Sequence, residues 1–279
     1  MKKSKVKIIS SWSNPGGSTT AFVNLCNLFN SNGVDCTFYG PHNWHLDKCQ
    51  ASNFDSDPFD DDTECVLISH FCQIPAGNEM MEKNVKKHIL SCHETNLFPL
   101  KNLKLDQYDL IHYVSNSQRG WHATNYPYKV IPNVLSELED TGKNPNVAGV
   151  IGSIDPHKQV HLSVARAVKD GYKKVIIYGN PTDLEYLRKF KPIFTQPGVE
   201  AVGYENDKQK MYDSVGEVYH SSARETFNYI KVECQMTGTK YNGLDSAEAN
   251  ADYWDNERIL KSWKEIFNED NICSSENHL

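Results

Sequence analysis

The chain has 279 residues, a hydrophobic fraction of 39%, a charged fraction of 23% and a formal net charge of −7. That length suits one large or two medium soluble domains, each able to bury its own core. The acidic balance excludes broad non-specific nucleic-acid binding, which needs a basic surface, and disfavours anionic lipid unless a local patch such as Lys83, Lys86 and Lys87 does that work.

The opening stretch, MKKSKVKIISSWSN, is basic and then apolar for only a few residues. Such a run is too short for a signal core or a membrane span. The expectation is a soluble, cytoplasmic protein without stable membrane insertion, with Val6–Ser10 as its first strand. Asn14-Pro15-Gly16-Gly17-Ser18 reads as a turn. Ala21, Phe22, Leu25, Leu28 and Phe29 then recur on one helical face, stopped by Asn32-Gly33. VDCTFYG reads as a second strand, NFDSDPFDDDTE as an acidic loop, and CVLISH, HILSCH, DLIHYVS and YKVIP as further short buried strands.

After Pro132-Asn133, the segment LSELEDTGKNPN lacks apolar periodicity and reads as a linker. A second alternation follows: VAGVIG then a helix over Val160–Asp170, KVIIYG then Leu184–Phe190, GVEAVG then a short helix near Asp207–Tyr212, and EVYHS then a helix carrying Glu233. From Trp254 to Phe267, the residues Trp254, Ile259, Leu260, Trp263 and Ile266 suit an amphipathic helix. Strand–helix alternation in two runs predicts two doubly wound, Rossmann-like α/β domains. The expected division is 1–132, 133–254, and a helix and tail over 255–279 packing back on the first domain. Ligands of open parallel sheets bind outside the carboxyl ends of strands, and Gly16-Gly17, His70, His93, Ser115, Gly152, Gly179, Gly203 and Glu225 all fall at such ends. Two domains facing each other would place a cleft there.

The eight cysteines are scattered without a C-x-x-C pair and read as reduced core thiols. His42, His45 and Cys49 lack a fourth metal ligand and read as exposed loop residues. Asp55-Ser56-Asp57 forms a D-x-D, but in an acidic, proline-containing loop; G-x-G-x-x-G and a P-loop are absent. Glu225 and Glu233 stand eight apart, about 80° from facing each other on one helix. Serving one site would put Glu225 in the loop before the helix and Glu233 within it; taken alone, the pair reads as an ordinary surface helix. Lys158, just past a strand end, suits a phosphate.

In order and spacing these pieces resemble the retaining glycosyltransferases of GT-B fold, the group 1 (family 4-like) enzymes, over Val6 to about Thr239. The E-x-F-G-x-x-x-x-E pattern of that family appears as Glu225-Thr226-Phe227-Asn228 … Glu233, followed by Gly238-Thr239. Gly152-Ser153 … Lys158-Gln159 stands where the family has Gly-Arg and Lys-Gly, YKVIPNVL resembles its domain junction, and LSCHET its His-containing strand end. Three departures stand out. Ser153 replaces the arginine, Asn228 replaces a glycine, and the usual strand and Gly-Gly-x-x-E loop after Gly238 are reduced to TKYNGLDSAE.

The resemblance implies GT-B fold and metal-independent transfer, with retention, from a UDP-, GDP- or ADP-sugar to a hydroxyl on a glycan, lipid, protein or nucleic-acid base. It implies no cofactor and leaves the oligomeric state open. His93, Lys158 and Glu225 would be catalytic: His93 on the transferred sugar, Lys158 on the leaving diphosphate, Glu225 on sugar hydroxyls. Gly16, Gly17, Ser153, Tyr204, Phe227, Asn228, Tyr229 and Glu233 would bind the donor, with helix N–H groups near Phe227–Tyr229 on the phosphates, Glu233 on the ribose and Tyr204 at the base. A sugar-nucleotide epimerase or other GT-B enzyme, and a non-catalytic nucleotide-sugar-binding relative, are the alternatives.

Overall fold

The structure is a computed structural model describing residues 5–53, 62–70, 85–94, 104–122, 124–243 and 255–268. The chain divides into two compact units, Met1–Val134 with Trp254–Leu279, and Leu135–Tyr253.

In the first unit the described strands are β1 (Lys5–Ile9), β2 (Asp35–Gly40), β3 (Ala51–Asn53), β4 (Asp62–His70), β5 (Val85–Cys92), β6 (Leu110–Tyr113) and β7 (Tyr128–Val130). They form one parallel sheet in the order β3-β2-β1-β4-β5-β6-β7. The strands predicted from apolar runs are present. The three-residue edge strand β3 was not anticipated, nor was α2 (Asn116–His122), whose sequence NSQRGWH has no apolar period. Helix α1 (Gly17–Ser31) buries Ala21, Phe22, Leu25 and Phe29 of the predicted face, while Leu28 is half-buried.

Helix α7 (Asn256–Asn268) belongs to this unit and buries Ile259, Leu260, Trp263, Ile266 and Phe267 at helical spacing. Trp263 meets Phe29 edge-on at 6.0 Å and His112 at 4.6 Å. Trp254 lies outside the described residues. Two lysines close the end of α7: Lys87 Nζ donates to Ile266 O at 2.6 Å and Lys86 Nζ to Phe267 O at 3.2 Å. Cations suit a helix C-terminus, where carbonyls lack intrahelical donors. The conditional lipid patch is therefore not available at these two lysines: Lys87 is only 7% exposed and both ammonium groups are engaged. Lys83 lies outside the described residues.

In the second unit β8 (Val147–Ile151), β9 (Lys174–Tyr178), β10 (Val199–Gly203), β11 (Glu217–His220) and β12 (Lys240–Gly243) pair in parallel in the order β10-β9-β8-β11-β12. The helices are α3 (Val160–Lys169), α4 (Leu184–Phe194), α5 (Lys208–Asp213) and α6 (Tyr229–Thr237). Alternation along the strands covers both faces of the sheet. Ala148, Val150, Val175 and Ile177 pack with Val160, Val164 and Tyr186. Val147, Ile176 and Tyr178 pack with Met211, Tyr212 and Cys234. The region after Gly238 holds a short strand, β12, whose residues Lys240–Gly243 keep parallel register with β11; the loop after it lies outside the described residues. Residues 135–146 carry no regular element.

In each sheet the strand order reverses beside the unit's first strand, between β1 and β4 and between β8 and β11. In doubly wound folds the loops leaving the carboxyl ends at such a point diverge, and ligands usually bind between them.

Candidate functional site

At the switch point of the second unit, β8 hands over to a loop built around Asp155. Its Oδ1 accepts from the Lys158 backbone N–H at 2.8 Å, and its Oδ2 accepts from the hydroxyls of Ser153 and, at 3.3 Å, Thr182. Gly152 adopts φ 137°, which L-residues avoid, and a Cβ there would lie 3.5 Å from Lys158 Cγ. The lysine stem therefore lies along bare backbone. Ser153, which stands where the family has an arginine, is held by Asp155 in this loop.

The loop after β11 supplies the partner. Glu225 Oε1 accepts from Lys158 Nζ at 2.5 Å and from His220 Nε2 at 3.0 Å. Ala223 N donates to His157 O at 3.0 Å and ties the two loops together. Burial alone would raise the Glu225 carboxyl, but the Lys158 ammonium, followed by His220, outweighs it and holds the group at about 2, against an ordinary 4.5. A depressed folded-state value stabilises the fold above pH 4.5, and that stability is lost as pH falls through about 2. Glu225→Gln should therefore flatten the acid limb of the stability–pH curve between these values, by about 3 kcal/mol at most. Denaturant melts at stepped pH check this; parallel acid limbs for parent and variant would refute the ion pair.

Glu225 lies in the loop and Glu233 within α6, the predicted division. Glu233 is not on a surface helix, however: it is 3% exposed. Its Oε1 accepts from Lys208 Nζ and from Ser136 Oγ at 3.1 Å, and its Oε2 from Tyr212 OH at 2.9 Å. The same Lys208 ammonium lies 5.3 Å from the Tyr229 ring centroid. Burial, then the Glu233 charge, pushes the Tyr212 phenol well up.

Helix α6 opens at Tyr229, two residues later than the anion-binding reading required. Tyr229 N donates to Phe227 O at 3.1 Å, and Lys231 N to the Asn228 side chain at 3.1 Å. Two donors at this helix start are thus already partnered. Asn228 is an N-cap at φ −87°. That backbone is open to any residue, so no glycine is required here: the Asn228 side-chain oxygen caps the helix and its amide donates to Tyr241 OH at 2.8 Å. Asn228→Ala should cost about 1 kcal/mol from the lost cap, read as a thermal shift; an unchanged melt would contradict the capping role. Phe227 is buried and meets Tyr229 edge-on at 5.1 Å, Tyr204 is exposed just past β10, and Gly238 ends α6 at φ 63°.

In the first unit Gly16 caps α1 with an extended backbone (φ 175°) and Gly17 opens it. A Cβ at Gly16 would come no closer than 3.8 Å to another atom, and one at Gly17 would meet nothing within 4 Å. Neither local space nor backbone angle demands glycine here. His93 follows β5, contacts Ser91 Oγ at 3.1 Å and packs edge-on against Phe22 at 4.5 Å. Burial, then the neighbouring His70, holds its imidazole well below the ordinary histidine value, so it is neutral near pH 7. Beside it, Ser10 Oγ meets His70 Nδ1 at 2.8 Å and His70 Nε2 meets Glu94 Oε1 at 2.6 Å.

His45 is fully buried, which corrects the reading of an exposed loop residue: its ring packs on Phe38 at 4.7 Å and Nε2 meets Ser52 O at 3.2 Å. Among the described residues no His, Cys, Asp or Glu cluster is arranged to hold a metal ion. Asp55-Ser56-Asp57 lies outside them. Cys26, Cys36, Cys65, Cys92 and Cys234 are buried thiols outside any disulfide, and Cys49 is a half-buried one. No described helix is long and apolar enough to cross a membrane.

His220, Asp155, Lys208 and Glu94 escaped sequence reasoning. His220 was findable, since it ends the strand EVYHS; Lys208 sits 25 residues from Glu233 in a short polar helix and gave no signal.

Two Rossmann-like units with parallel sheets define a GT-B fold, and solved glycosyltransferases share it. A variant of S. aureus TarM in complex with Fondaparinux, alpha-GlcNAc-glycerol and UDP superposes with TM-score 0.74 at 10% identity, covering 95% of this chain and 100% of that one. AviGT4, a glycosyltransferase involved in Avilamycin A biosynthesis, gives 0.62 at 15%, covering 94% and 96%. An alpha-glucosyltransferase in complex with UDP gives 0.63 at 13%, covering 95% and 90%. Identities this low show the fold alone. No protein-family model matches the chain. A curated leucine--tRNA ligase of Prochlorococcus marinus (strain MIT 9301) is 27% identical over 130 residues, 45% of this chain and 14% of that protein. The chain thus spans a small part of that relative, and the match shows no family.

Proposed function

We propose that the protein is a retaining, metal-independent glycosyltransferase that moves a sugar from a nucleoside-diphosphate donor to an acceptor hydroxyl. The observation that carries this reading is the Lys158–Glu225–His220 constellation at the β8/β11 switch point of a GT-B unit. As the C1–O bond breaks, its electron pair moves to the β-phosphate oxygen. A fixed ammonium beside that oxygen lowers the barrier because it needs no reorganisation. Lys158 takes that role, Glu225 binds sugar hydroxyls, and the start of α6 lies near the phosphates. Glu233 is assigned to the ribose and Tyr204 to the base. Gly16 and Gly17 give close backbone approach, and neutral His93 hydrogen-bonds the transferred sugar. UDP is the first nucleotide to try, because two of the fold neighbours were solved with it. The reading carries with it a soluble cytoplasmic protein that needs no cofactor.

Calorimetric titration with UDP, GDP and ADP, followed by donor-hydrolysis assays with the matching sugars, tests it. One nucleotide is expected to bind at micromolar Kd or better. No binding by any of the three would sink both this enzyme and the epimerase alternative.

A further inference from the structure

Among the described tryptophans Trp12 alone is exposed, at 53%, whereas Trp263 is buried. An indole left in water forfeits a large burial gain, yet this one is held out on a fixed backbone. Ser10 Oγ accepts from Trp12 N at 3.1 Å and donates to Trp12 O at 2.7 Å, and Thr19 Oγ1 donates to the same carbonyl at 3.2 Å. Ser10 and Thr19 are both fully buried.

The loop carrying Trp12 leaves the carboxyl end of β1, at the switch point of the first sheet. Beside the ring the surface is cut back to bare backbone: the Cβ position of Gly16 lies 3.8 Å from Trp12 Nε1 and that of Gly17 faces open space. The serine that pins Trp12 also meets His70, which meets Glu94. That carboxylate is 13% exposed, and its Oε2 accepts from His93 N at 3.1 Å.

A flat indole, a step of bare backbone and a carboxylate acceptor match a pyranose, whose C–H face stacks on the ring while its hydroxyls donate. A lipid chain would need contiguous apolar surface, and no other large hydrophobic side chain of residues 11–17 is exposed. A nucleic acid would need cations for its phosphates, and SWSNPGG has none in a chain of net charge −7. We propose that Trp12 is the stacking platform for a pyranose ring of the acceptor, which makes the acceptor a carbohydrate. The word acceptor rests on the glycosyltransferase reading; the sugar platform itself does not.

Saturation-transfer NMR on the full chain, with methyl glucoside, methyl galactoside and methyl N-acetylglucosaminide as probes, tests the platform without turnover. Ring protons of at least one probe should be saturated in the parent and in Trp12→Phe, and fall by about fivefold or more in Trp12→Ala. Both variants should melt within about 2 °C of the parent, since the ring is exposed. No transfer to any probe, or equal transfer in parent and Trp12→Ala, overturns the proposal; duplex DNA binding in their place would point to a nucleic-acid acceptor. UDP titration of the same samples scores the donor reading separately. A parent that binds UDP and no pyranoside loses Trp12 alone, and the reverse outcome loses the donor assignment alone.

Discussion

Lys158→Ala is expected to lower donor turnover by about 10²- to 10³-fold, the usual cost of removing one preorganised group from a developing negative charge. The ammonium has three N–H donors. One is spent on Glu225 Oε1 at 2.5 Å, which fixes the head group and leaves two for phosphate oxygens. Fixation also comes from behind, where the stem lies against Gly152 and the Lys158 backbone N–H is held by Asp155. Alanine removes the ammonium and its stem, keeps the backbone N–H on Asp155, and leaves Glu225 with His220 at 3.0 Å as its remaining described ion-pair partner. Lys158→Arg keeps the charge but changes the donor geometry, so an intermediate loss is expected. Steady-state release of nucleotide from the donor is the measurement, with a thermal melt to show that each variant is folded. Turnover by Lys158→Ala within about threefold of the parent, far short of that cost, would show that the leaving group lies elsewhere.

Glu233→Ala should destabilise the protein by about 3–5 kcal/mol, because it leaves a network built around one buried carboxylate without its centre. Glu233 joins three parts of the second unit: Ser136 from the segment before β8, Lys208 and Tyr212 from α5, and α6 itself. A fall in melting temperature of about 10 °C is expected for a loss of that size. Glu233→Gln keeps the shape and one acceptor and should fall less. The proposed ribose role is separable from this structural one. If Glu233 holds the ribose hydroxyls, 2′-deoxy-UDP binds the parent more weakly than UDP does, and Glu233→Gln erases the difference. Equal discrimination in both proteins would leave Glu233 a purely structural residue.

The two glutamates thus divide differently from the way their spacing suggested. Their assignment to loop and helix was legible, since positions eight apart on one helix lie about 80° out of line and Gly238 marks a helix end. Their partners were not. Lys158 and Glu225 are 67 residues apart, Ser136 and Glu233 are 97 apart, and no local pattern links such positions. Asn228 shows the same limit more narrowly. The sequence flagged it as a departure from a glycine, but only the backbone reveals a cap whose amide also reaches Tyr241 on the next strand.

By itself the sequence determined the two runs of strand and helix, because buried parallel strands are short apolar runs and each covering helix repeats its apolar face at i, i+3 and i+4. It also placed the strand ends where the site residues fall. It did not reveal β3 and β12, three and four residues long, since edge strands this short carry too few side chains to show a period. Strand order, the burial of Glu233 and His45, and the exposure of Trp12 were decided only by tertiary structure. Each depends on contacts between residues distant in the chain, and such contacts leave no periodic trace along it.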